Sequence, residues 1–195
     1  CLLQIETARN SLRIVLEHVP MTIEDVCDRR LPIPFLKHMF LSAAKTIMYL
    51  HQINCAHRDI KPSNIRLQAD GTIVIIDYDC SVLLLHDDTA DTFPICTLSA
   101  RPPELLVETS GHYDAKKLDV YSLGLLFVYM SNSSRPLVPI GAEAELRQRL
   151  EQALPLSSGL QNRLGPHLTA LVSTMLQPQP EDRPTVQQVY DELAQ

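Results

Sequence analysis

The sequence predicts an α+β fold that is mainly α-helical and carries short β-hairpins. Three observations predict it. After residue 34, apolar residues recur at spacings of three and four through long stretches, the period of helices buried on one side. Two other stretches, 1–17 and 65–76, instead hold short apolar runs separated by turn residues, as hairpins do. Apolar residues make up 45 % of the 195-residue chain, enough for a packed core. Aromatics are only 5 % and Trp is absent, so that core is mostly Leu, Ile, Val and Ala.

Taken in order, Cys1–Glu6 and Leu12–Glu17 read as two strands around the turn-like Thr7–Ser11, and Pro20 stops the second. Residues 22–29 read as a short helix, with Thr22 as N-cap and Glu24 and Asp25 in its first turn. A longer helix follows Pro34, its buried stripe being Leu36, Phe40, Ala43, Ile47 and Leu50. Ile65–Leu67 and Thr72–Ile76 form a hairpin around a turn containing Asp70-Gly71. Residues 82–103 read as a long loop, and long loops in compact domains are usually functional. Helices return at about 118–131, 143–153, 167–177 and 185–194.

Composition narrows the function. The net charge is -6 and no Lys/Arg run stands out, which argues against a nucleic-acid partner. Cysteines stand at 1, 27, 55, 80 and 96, odd in number and without a CxxC pair, so neither a disulfide framework nor a zinc site is expected. The richest apolar run, Leu123–Met130, is too short for a membrane span, and no leader is visible. The expected setting is intracellular, cytoplasmic or nuclear, with no membrane partner. The chain opens on Cys1 rather than Met, and is expected to be a fragment.

The stretch richest in chemistry is His57-Arg58-Asp59-Ile60-Lys61-Pro62-Ser63-Asn64, a loop between the long helix and the hairpin. Asp77-Tyr78-Asp79 follows at the end of the second hairpin strand. Phosphoryl transfer needs charge neutralisation and alignment more than covalent chemistry. Asp59 can accept a hydroxyl proton, and Lys61 can contact a transferred phosphate. Asn64 and Asp77 offer oxygen donors suited to magnesium.

This loop resembles the H-R-D-L-K-x-x-N catalytic loop of the protein kinase family. Later motifs follow in the family's order. Thr97–Glu104 resembles the end of the activation segment, and Asp119-Val120-Tyr121-Ser122-Leu123-Gly124 resembles the start of a central helix. The resemblance implies a protein kinase large lobe over 20–195, with 1–19 as the last small-lobe strands and the hinge. It implies ATP and Mg2+ as cofactors and protein Ser/Thr hydroxyls as substrate. Asp59 would then be the catalytic base, with Lys61 beside it. Asn64 and Asp77 would be metal ligands, and the backbone of Glu17 and Val19 would hold adenine together with Lys61, Asn64 and Asp77 at the phosphates. Glu104 would pair with Arg183, Asp119 would bind the catalytic-loop backbone, and His57 would be a packing residue. Thr89 and Thr92 are candidate phosphorylation sites facing Arg58. A regulatory protein is a further implied partner.

Three departures stand beside the resemblance. Asp79 replaces the glycine of D-F-G, a position expected to need positive φ. Arg66 stands where an apolar floor for adenine is expected. No G-x-G-x-x-G occurs, so the isolated piece is expected to be inactive. The alternatives are a pseudokinase acting as a binding or regulatory module, and a small-molecule kinase of the aminoglycoside or choline type, which Ile75-Ile76-Asp77-Tyr78-Asp79 also resembles.

Overall fold

The computed structural model describes residues 2–8, 11–27, 30–84, 89–91, 100–105, 112–133 and 154–195. Strands β1 (Leu2–Ala8) and β2 (Ser11–Leu16) pair antiparallel, with Ala8 opposite Ser11, so pairing runs deeper into the expected turn than composition suggests. Strand β3 (Met21–Thr22) then feeds helix α1 (Ile23–Cys27). Thr22 caps that helix as expected: its Oγ1 accepts from the Asp25 N–H while the Asp25 carboxylate accepts from both the Thr22 N–H and hydroxyl. Those bonds hold the Asp25 carboxyl below its ordinary pKa.

Helix α2 (Ile33–Gln52) buries the expected stripe of Leu36, Phe40, Ala43, Ile47 and Leu50. Phe40 stacks on Phe127 with ring centroids 4.1 Å apart. Phe127 belongs to α3 (Ala115–Ser131), which is buried nearly all round and therefore runs through the middle of the core. Gly124 lets the chain after helix α4 (Ser158–Met175) approach it closely, because a Cβ there would meet Leu176 at 3.0 Å and Met175 at 3.1 Å. Arg163 of α4 donates to the carbonyls of Ser131 at 2.6 Å and Leu31 at 2.7 Å, joining the end of α3 to the start of α2. Helix α5 (Val186–Leu193) closes the fold behind a capping box of Thr185 and Gln188.

The second half of helix α4 is the helix expected at 167–177, and a first half that was not expected precedes it. The two halves meet at Gly165 (φ 75) and Pro166, where the second half starts, and Ser157 caps the first half. Pro166 lacks the N–H that a continuous helix would use, so a period search finds only the part beyond it. The helix expected at 143–153 lies outside the described residues.

The sheets are small. Strands β5 (Ile65–Leu67) and β6 (Ile73–Ile75) make the expected hairpin, with Ile65 opposite Ile75, and β3 adds to the other edge of β5. Gly71, at φ 88, supplies the left-handed turn residue. Strand β4 (Cys55–Ala56) pairs with β7 (Val82–Leu83), and β8 (Thr89–Asp91) pairs with β9 (His112–Asp114). The observed fold is α+β and mostly helical. No helix among the described residues is long and apolar enough to cross a membrane.

Candidate active site

The loop 57–64 is clamped at both ends. Before it, α2 ends and Asn54 (φ 53) turns the chain into β4, which β7 holds by pairing Ala56 with Val82. After it, a tight turn at Pro62–Asn64 leads into β5 and the hairpin. From below, the fully buried Asp119 of α3 accepts the N–H groups of His57 and Arg58, both at 2.8 Å. His51 Nε2, from the last turn of α2, lies 2.9 Å from the same carboxylate, where only an N–H can serve. One carboxylate thus fixes two consecutive loop amides to two helices.

His57 is fully buried and behaves as packing. Its Nδ1 accepts the Asp59 N–H at 3.2 Å, and Nε2 lies 3.3 Å from the Ile76 carbonyl, so the proton sits on Nε2. Tyr78 leans on its ring, with centroids 5.0 Å apart. Burial, and then the Cys55 thiol, push the Tyr78 phenol up from its ordinary pKa.

Asp59 is buried, and its Oδ2 lies 2.7 Å from Lys61 Nζ. Asn64 Nδ2 donates to the Asp59 carbonyl at 2.9 Å and to Oδ2 at 3.2 Å. That commits the amide nitrogen of Asn64 to Asp59 and leaves its side-chain oxygen as the donor for a ligand. The Asn64 carbonyl accepts the Ile76 N–H at 2.9 Å, which sets Asn64 beside the residue preceding Asp77. Asp77 itself is exposed. Cys80 reports how the charges converge: burial pushes its thiol up, Asp59 and Asp77 push it further, and Arg58 and Lys61 pull it back. Asp59, Lys61 and Asn64 therefore come together, and the Asn64–Ile76 bond brings the stretch that leads into Asp77 beside them. Glu17 is exposed and Val19 half-buried on the stretch between β2 and β3, and β3 leads from there to the side of β5 just after Asn64.

Backbone strain falls on different residues from those expected. Arg58 (φ 65) and Asp77 (φ 68) take the left-handed region, whereas Asp79 does not. Asp79 is exposed in the turn that follows, so the missing glycine freedom at that position is not called upon. Arg66 does not lie flat as a floor. Its Nη1 donates back to the carbonyls of Ser63 at 2.9 Å and Ile65 at 3.3 Å, while its strand neighbours Ile65 and Leu67 are buried.

Scaffold pairs form where expected. Arg183, 2 % exposed, holds both oxygens of Glu104, at 2.8 and 2.6 Å, and also donates to the carbonyls of Gln177, Pro178 and Lys117. Its guanidinium lies over the Tyr121 ring, 4.8 Å from the centroid. Ser122 Oγ donates to the Ala100 carbonyl at 3.0 Å, tying the segment 100–105 to α3. Thr89 stands opposite Asp114 in the β8–β9 register, so a phosphate on it would face a carboxylate. Thr92 and Thr97–Ser99 lie outside the described residues. Sequence reasoning missed His51 and Tyr113. The hydroxyl of Tyr113 accepts from Arg58 Nη1 at 3.1 Å, and no local motif marks a partner 55 positions away.

The sequence also matches known proteins. A family model described as protein kinase domain matches residues 1–193. Sperm motility kinase 2B of Mus musculus is 31 % identical over 152 residues, covering 77 % of this chain and 30 % of that protein. Probable serine/threonine-protein kinase glkA of Dictyostelium discoideum is 30 % identical over 135 residues, covering 69 % of this chain and 28 % of that protein. Aurora kinase of Schizosaccharomyces pombe is 30 % identical over 154 residues, 78 % of this chain and 41 % of that protein. The chain thus spans less than a third of the length of the first two of these relatives. On that family match over residues 1–193, the chain belongs to the protein kinase domain family.

Proposed function

We propose that this chain is the phosphoryl-transfer half of a serine/threonine protein kinase, with 1–19 as the last small-lobe strands and hinge and 20–195 as the large lobe. The observation that carries the reading is the cluster of Asp59, Lys61 and Asn64, with Lys61 Nζ 2.7 Å from the Asp59 carboxylate. ATP is the phosphoryl donor. The backbone of Glu17 and Val19 would hold its adenine, and Lys61, Asn64 and Asp77 would hold its phosphates.

Among the described residues, no three His, Cys, Asp or Glu side chains gather to hold a metal by themselves. The Asn64 amide oxygen and the Asp77 carboxylate are two hard oxygen donors, which suits Mg2+ shared with phosphate oxygens. Asn64 and Asp77 would hold it, and when bound it supplies charge neutralisation to the phosphates.

The chain's own groups perform the rest. Asp59 accepts the proton of a substrate Ser or Thr hydroxyl and aims its oxygen at the γ-phosphorus. The new O–P bond forms as the bond to the β-phosphate oxygen breaks, and ADP leaves. Lys61 is held by the Asp59 carboxylate beforehand and turns its charge to the phosphoryl group in flight.

The pseudokinase reading has one observation in its favour: Arg66 folds back on the loop and leaves no flat apolar floor for adenine. A substrate screen on the full-length protein separates the readings. γ-labelled ATP is offered with proteins, sugars and amines. Label on protein Ser or Thr is expected. Label on sugars or amines alone would assign a small-molecule kinase, and bound nucleotide with no transfer would assign a pseudokinase.

A further inference from the structure

The catalytic-loop arginine is satisfied from within the fold. Arg58 directly precedes Asp59 and sits at φ 65, a conformation that a side-chain-bearing residue keeps only when its surroundings over-determine it. Its N–H is taken by Asp119 at 2.8 Å. Its Nε donates to the Cys80 carbonyl at 2.6 Å, and its Nη1 donates to the Tyr113 hydroxyl at 3.1 Å. Both Arg58 and Tyr113 are 8 % exposed. The Tyr113 ring packs with Ala56, Leu84, Ala115 and Leu118, and its backbone is held in β9 opposite Ala90 of β8. The hydroxyl therefore sits on a rigid support that spans β4, the end of β7 and the start of α3.

We propose that Tyr113 is a positioning residue for the catalytic loop, its buried hydroxyl holding Arg58, and through it the backbone that presents Asp59, without a phosphate on the segment 89–91. Thr89 is poorly placed for the alternative, since its register partner is Asp114. The Cys80 carbonyl lies three residues after Asp77, so the same guanidinium also couples the catalytic loop to the strand end bearing that carboxylate. The catalytic part of this inference rests on the proposed kinase reading; the structural part does not.

The test compares the full-length protein with its Tyr113→Phe variant, which keeps the ring and removes only the hydroxyl. Amide hydrogen exchange is read in peptides spanning 57–60 and in α2, before and after phosphatase treatment. The expected result is exchange at least about fivefold faster at 57–60 in the variant, unchanged exchange in α2, and no effect of phosphatase on the parent protein. Turnover should fall about tenfold with KM for ATP within about twofold, because the hydroxyl acts on the loop and not on nucleotide binding. Adding Arg58→Met to Tyr113→Phe should cost less than the sum of the two single changes. Unchanged exchange at 57–60, an equal rise throughout α2, or a phosphatase-dependent rise in the parent protein would each overturn the proposal. Absence of Ser/Thr transfer by the parent protein would instead overturn the kinase reading, and the exchange result would still decide the role of Tyr113.

Discussion

Replacing Asp119 by Asn changes one oxygen for an amide nitrogen in a fully buried position. Asp119 receives three donors: the N–H groups of His57 and Arg58 at 2.8 Å each and His51 Nε2 at 2.9 Å. An Asn side chain can turn its oxygen to only one loop amide. The other then faces an NH2 group, donor against donor. A hydrogen bond to a charged acceptor contributes about 1.5–3 kcal/mol, and a buried unpaired N–H costs about 1–3 kcal/mol. Removing the buried charge returns part of this through desolvation, leaving a net loss of about 3 kcal/mol. For a domain of about 150–250 residues that lowers Tm by about 6–12 °C. The assay is thermal and urea unfolding of the full-length protein, with hydrogen exchange read at 57–58. A Tm shift below about 2 °C, with exchange at 57–58 unchanged, would refute the reasoning and reduce Asp119 to a bystander.

Three further outcomes follow from the same geometry. Glu104→Gln takes away the carboxylate that Arg183 grips at 2.8 and 2.6 Å and leaves a buried guanidinium with carbonyl partners only; a loss of about 3 kcal/mol is expected by urea unfolding with the m-value unchanged. Gly71→Ala puts a Cβ 2.9 Å from Phe35 Cε2 at φ 88, so a loss of about 1–2 kcal/mol is expected in the same assay. ATP with Mg2+ at a hundred times its Kd should stabilise the full-length protein by about 2.7 kcal/mol, and the resulting melting shift should vanish in Asp77→Ala if Asp77 holds the ion.

Local signals in the sequence located much of the fold. The stripe of Leu36, Phe40, Ala43, Ile47 and Leu50 has helical spacing and lies buried in α2 as expected. Asp70-Gly71 marked the hairpin because its turn needs a left-handed residue. The cluster of Asp59, Lys61 and Asn64 lies within six residues, so its proximity was readable from spacing alone. Four features escaped for physical reasons. Gly165 (φ 75) breaks α4 into two helical halves, and periodicity followed only the second. The left-handed backbone falls at Asp77, just beyond β6, rather than at Asp79, a placement that residue type alone does not mark. The Arg58–Tyr113 bond and the clamp of Arg163 on Ser131 and Leu31 join residues far apart in the chain, which only tertiary packing brings together.

The central claim is that Asp59 performs base chemistry in phosphoryl transfer to protein hydroxyls. The most direct measurement is γ-phosphate transfer to Ser/Thr peptides by the full-length protein and by its Asp59→Asn variant, with melting curves confirming that the variant is folded. The account predicts transfer by the parent protein and a fall of about 10²–10⁴-fold in kcat for the variant with ATP still bound. Equal transfer by both proteins, or none by a parent protein that binds Mg2+ and ATP, would contradict it.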